Sequence, residues 1–215
     1  YLNNSFLPGL LQLMILLVTV FSIGSEMKRA TSREWLRTAD DSIIIAITGK
    51  LIPQTIIFFS MGLLYLSLLY GYLHFPMHNS IWHMIFAMFL LVVASQSFAV
   101  IIMCFAPSLR IGLSVGGLVG VLSLSIAGFS FPVPAMYLPF QAISYVLPVR
   151  HYFLIYVDQA LNGIPLYYSR VHYVALILFA VASTPLLPRL KKALMRQVYV
   201  PVSYTHLRAH ETRHD

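Results

Sequence analysis

Five stretches of this chain, residues 6–23, 51–73, 81–105, 111–131 and 171–187, contain no Asp, Glu, Lys or Arg. A helix needs about 20 apolar residues to cross roughly 30 Å of hydrocarbon. Inside a bilayer every backbone N–H and C=O must be satisfied internally, so such runs have one regular solution, the α-helix. The whole chain is 59% apolar and 10% charged, against about 45–50% and 25% for soluble domains. A soluble globule, a disordered chain and a disulfide scaffold are excluded together, since the single cysteine, Cys104, lies inside an apolar run. The expected fold is all-α, a polytopic bundle of five transmembrane helices.

The charges orient it. Fourteen Lys+Arg stand against seven Asp+Glu, but they cluster beside the spans and not on a soluble face, so they do not mark a nucleic-acid partner. Lys28, Arg29, Arg33, Arg37 and Lys50 lie between the first two spans, Arg110 between the third and fourth. Arg189, Lys191, Lys192 and Arg196 follow the fifth. With alternating spans these ten share one side, leaving Arg150 and Arg170 on the other. The positive-inside rule puts the ten in the cytoplasm. The expected location is a membrane, with the basic side facing the cytoplasm. Residue 1 is Tyr and no signal peptide precedes the first run, so we expect the chain to begin partway through a longer protein.

Two connections stand out. Residues 132–170 hold five prolines and eight Phe or Tyr, too aromatic for a solvated loop and too broken for one span. They read as an outer re-entrant or interfacial hairpin, with Phe131 and Pro132 at its start and Pro148 at its middle. Arg150, His151 and Asp158 are its candidate polar site, and helical spacing allows Asp158 to pair with either of the others. Such groups near membrane depth serve transport or fix the hairpin. The segment SEMKRATSREWLRTADD, residues 25–41, sets Met27, Thr31, Trp35 and Leu36 at helical spacing among Lys28, Arg29, Arg33 and Arg37. It reads as one short amphipathic helix on the cytoplasmic interface, either a membrane-surface linker or a lever that docks a partner.

Glu26, Lys28, Thr31, Leu36 and Thr38, followed by Gly49-Lys50-Leu51-Ile52-Pro53, resemble the E-x-E/K-x-G-T-x-x-x-L-x-x-T-P … G-K-x-x-P stretch of ABC-2 type transporter permeases. GFSFPVPAM at 128–136, Gln141, Pro148 and the aromatic run 152–156 resemble that family's second signature. The resemblance covers residues 1–196. Two positions depart: Ala30 stands where the family has Gly, and Ala39 where it has Pro. The family's usual first span and extracytoplasmic domain are not in the sequence.

The resemblance implies a permease, residues 1–200, whose cytoplasmic helix at 26–39 couples to a separate ATP-binding subunit. Glu26, Lys28, Arg29, Thr31, Arg33, Glu34 and Trp35 are the expected coupling residues. It further implies a dimer with a second permease copy or paralogue, in contact with membrane lipid, exporting a small, lipid-like or drug-like molecule. The chain itself is expected to hold no cofactor and no catalytic site. ATP and Mg belong to the partner, because no G-x-x-x-x-G-K-[ST] occurs here.

Gly112, Gly116 and Gly120 recur every four residues in the fourth span, a groove for close helix approach within or between subunits. His83 and Gln96 are lone polar residues in the third span and read as bonds to neighbouring helices. At 210–214 the chain spells H-E-x-x-H, a zinc-metalloprotease pattern when it lies on a helix. The polar tail 201–215 lacks an apolar face, however, and resembles a translated adaptor sequence. No metal site is expected there. A membrane-embedded zinc metalloprotease and a non-catalytic membrane scaffold are the alternatives to transport.

Overall fold

The computed structural model describes residues 2–128 and 131–196. All regular elements among them are helical. They are α1 (Leu2–Lys28), α2 (Ser32–Arg37), α3 (Ile43–Leu66), α4 (Ile81–Phe105), α5 (Leu109–Ile126), α6 (Leu138–Tyr145), α7 (Pro148–Tyr156), α8 (Leu166–Val181) and α9 (Leu187–Arg196). α3 and α7 run on into π-helical turns, Ser67–Tyr72 and Val157–Leu161. Five stretches are long and apolar enough to cross a membrane: Phe6–Lys28, Ile43–Tyr72, Ile81–Phe105, Leu109–Ile126 and Leu166–Arg196. The chain is a multi-pass membrane protein.

α4 is apolar on every side and is the hub, packing against α1, α3, α5, α7, α8 and α9. Met84, Met88, Leu91 and Met103 are each at most 1% exposed. α3 turns Ile44, Ile52, Ile56, Met61 and Leu64 outward, the solution expected where the solvent is hydrocarbon. One core cluster joins Val20, Ile23, Leu36, Ile43, Met103 and Leu190 at the end of the bundle that carries most of the basic residues. The other joins Met88, Leu91, Tyr152, Ile155 and Leu176 toward the opposite, aromatic end.

Four expectations change. The amphipathic segment is not one helix: α1 continues through Lys28, the chain turns at Ala30 with φ 59°, and α2 restarts at Ser32. α3 begins at Ile43, not residue 51, so Lys50 lies inside a helix. α5 ends at Ile126, with Gly128 at φ 108° just beyond it, not at residue 131. The last span breaks after Val181. Pro185 lacks the N–H that would reach Val181 O, and Thr184 Oγ1 donates to that carbonyl instead at 2.8 Å. Ser183 N–H is taken by Ser97 Oγ at 3.2 Å, which fixes the break against α4. α9 then starts as a separate helix.

Candidate functional site

The basic end is built around the junction of α1, α2 and α3. Glu26, on the last turn of α1, accepts a hydrogen bond from Lys50 Nζ at 2.6 Å, with both side chains about one-fifth exposed. Its other carboxylate oxygen accepts from Thr31 Oγ1, and its carbonyl accepts from Thr31 N at 3.1 Å. The ammonium of Lys50 lies 4.5 Å over the ring of Trp35 on α2. One carboxylate and one ammonium therefore tie two membrane helices to the short helix between them. Opposite charges half-withdrawn from water hold each other and screen each other's desolvation, and an ammonium over indole adds roughly 0.5–2 kcal/mol.

α2 is seated by its apolar side. Leu36 is fully buried in the basic-end core, with Met27 and Trp35 packed around it. Asp40 and Asp41 sit at φ 50° and 55°, a left-handed return that Asp tolerates, and Asp41 N closes the turn onto Leu36 O at 2.9 Å. Arg33, Glu34 and Arg37 remain exposed, as do Lys28 and Arg29 at the end of α1. α9 braces the assembly: Arg33 donates to Met195 O at 3.4 Å, and Lys191 donates to Asp41 O at 2.6 Å.

Of the expected coupling residues, the structure brings Glu26, Thr31 and Trp35 together and leaves Lys28, Arg29, Arg33 and Glu34 on the surface. The residue missing from that set is Lys50. It stood in the Gly-Lys pair at the edge of an apolar run, where a basic residue reads as an orientation mark. Its proximity to Glu26 appears only once α3 is seen to begin a full two turns earlier.

The glycines of α5 face α1. A Cβ at Gly120 would lie 2.2 Å from Leu13 Cδ1, and one at Gly112 would lie 2.8 Å from Met103 Sδ and 3.0 Å from Val20 Cγ1. Gly116 has more room, with Val20 Cγ2 at 3.6 Å. Gln12, buried on α1, donates to Ser123 Oγ at 3.0 Å and accepts from Val149 N at 2.8 Å. It pins α1, α5 and α7 to one another. Neither Gln12 nor Ser123 stood out in the sequence, because an uncharged polar residue does not interrupt an apolar run. Gln96 bonds Thr55 Oγ1 at 2.8 Å across α3 and α4.

At the aromatic end, Phe131 and Pro132 precede a single 3-10 turn, Val133–Ala135, and Pro148 opens α7. Asp158 pairs with neither Arg150 nor His151. Positions seven and eight apart on one helix face stand about 10–12 Å apart along the axis, beyond the contact range of residues three or four apart. Asp158 accepts instead from Ser169 Oγ on α8 at 3.0 Å. Arg150, 7% exposed, donates to Ala127 O at 3.4 Å and lies over the Tyr145 ring. His151 donates Nε2–H to Tyr145 O at 3.0 Å, leaving Nδ1 toward His172 at 3.5 Å. Burial holds the His151 ring below its ordinary titration range. Among the described residues no group of three or more His, Cys, Asp or Glu could hold a metal. The 201–215 tail with its H-E-x-x-H lies outside the described residues.

Compared with families of known proteins, residues 1–187 match the family described as ABC-2 family transporter protein. The chain belongs to the ABC-2 transporter family. The family is one of ABC-transporter permeases, membrane transport subunits that work with ATP-binding subunits. No curated protein and no solved structure matches the chain.

Proposed function

We propose that the chain, with residues 1–200 as its membrane domain, is the permease of an ATP-driven exporter in the bacterial inner membrane. It works as a dimer with a second copy or paralogue. Hydrolysis of ATP with Mg takes place in a separate subunit. The observation that carries the reading is the Glu26–Lys50–Trp35 clamp. Because α2 is fastened to both α1 and α3, a force on the exposed residues Lys28, Arg29, Arg33, Glu34 and Arg37 moves two spans as one body, as rigid-body rocking requires. An apolar groove of about 230 Å³ between α1 and α3, lined by Pro8, Leu11, Met14, Met61 and Tyr65, supports a lipid-like or drug-like cargo.

The test is charge reversal of Lys28, Arg29 and Arg33 to Glu in the complex with its ATP-binding subunit. Stimulated hydrolysis should persist while transport is lost, so that the two activities no longer move together. Wild-type transport at wild-type stimulation removes α2 as the lever.

A further inference from the structure

α9 begins where the family match ends, at residue 187. Leu187, Leu190 and Leu194 are buried in the basic-end core. Arg189, Lys192 and Arg196 recur three and four residues apart, all exposed. At 100° per residue these three fall within an arc of about 60°, on the side away from the leucines. The helix contains no acidic residue.

Depth is set by Arg189, whose guanidinium lies 4.7 Å over the ring of Phe105. Phe105 is the last residue of α4 and is 60% exposed. Arg and Lys side chains at the ends of membrane spans reach to the headgroup interface. A guanidinium on that ring therefore stands at headgroup level. Arg110, exposed in the first turn of α5, returns at the same end. α9 presents its stripe on a fixed scaffold, held by Arg33 to Met195 O and Lys191 to Asp41 O.

We propose that Arg189, Lys192 and Arg196 form a binding site for the phosphate headgroups of anionic phospholipids. A planar guanidinium takes a phosphate through two parallel N–H donors. The cationic face of an interfacial helix draws anionic headgroups at roughly a fivefold gain in affinity per basic residue. The site depends on the chain's place in a membrane and is independent of which partner drives α2.

The test uses the full chain, purified in neutral detergent, titrated with phosphatidylglycerol or phosphatidylcholine. Native mass spectrometry reads retained lipid, and a melting curve reads stabilisation. The wild type should retain phosphatidylglycerol in preference, less so as salt rises. R189Q/K192Q/R196Q should bind it about a hundredfold more weakly, and K192Q alone about fivefold. Because none of the three side chains is buried, K192Q keeps the test open if the triple variant does not fold. Three results overturn the proposal. One is unchanged phosphatidylglycerol affinity in the variants, and another is an equal loss from K28Q/R37Q, exposed cations at the ends of α1 and α2. The third is loss of ATP-binding-subunit association with lipid retention unaltered, which would assign the stripe to a protein partner.

Discussion

Removing Lys50 should loosen both membrane helices that flank α2. Its hydrogen bond to Glu26 is between charged groups, a class of about 1.5–3 kcal/mol. Each side chain is about one-fifth exposed, so the lower half of that range, about 1.5–2 kcal/mol, applies. The contact with Trp35 at 4.5 Å adds about 1 kcal/mol. Lys50→Met should therefore destabilise by roughly 2–3 kcal/mol, and Glu26→Gln, which keeps an acceptor for Thr31, by about 1–2 kcal/mol. If the pair is real, the double variant should cost little more than Lys50→Met alone, a coupling of about 1–2 kcal/mol. For a chain of this size each kcal/mol moves the melting temperature by about 2–4 °C. Melting in detergent should then show a drop of roughly 4–12 °C for Lys50→Met. Strict additivity of the two changes would refute the clamp, because partners that do not interact show coupling below about 0.3–0.5 kcal/mol.

Other substitutions probe the supporting geometry. Ala30 holds φ 59°, where an L-residue pays roughly 1–2 kcal/mol. Ala30→Gly should raise stability by about 0.5–1 kcal/mol after its extra chain entropy, and a lower melting temperature would contradict the turn. Gly120→Val must displace Leu13 and should cost about 1–3 kcal/mol, whereas Gly117→Val, whose nearest neighbour is 3.9 Å away, should stay within about 0.5 kcal/mol. Equal effects at the two positions would show that α1 and α5 do not meet along this face. Gln12→Leu strips Val149 N–H of its acceptor at a cost of about 1–3 kcal/mol. Hydrogen exchange should accelerate at the start of α7, and unchanged protection there would rule out the pin.

Much of the bundle was legible because lipid leaves so few options. The third span was read as residues 81–105, and α4 has those bounds, since both ends are marked by polar or proline-bearing turns. Lys50 misleads: a cation at the edge of an apolar run reads as loop lying before the span, yet it sits inside α3 with its charge satisfied by Glu26 on α1, which no local rule reports. Ala30 hid the break between α1 and α2, because alanine is the strongest helix former and glycine would have announced the turn. α9 was present as Leu187, Leu190 and Leu194 at helical spacing, but its cations were read for orientation alone. The Asp158 contact with Ser169 depends on how α8 returns beside α7, a tertiary fact with no signature in spacing.

Proximity between α2 and the ATP-binding subunit decides most directly whether α2 is the lever. Cys104, the chain's only cysteine, is buried, so a cysteine introduced at the exposed Arg37 can carry a photo-crosslinker by itself. One at Tyr72, 78% exposed at the opposite end of α3, serves as the control. Arg37→Cys should capture the ATP-binding subunit in a yield that changes with ATP, while Tyr72→Cys should capture none. A transport-active complex in which position 37 never reaches that subunit, with or without ATP, would contradict that role for α2.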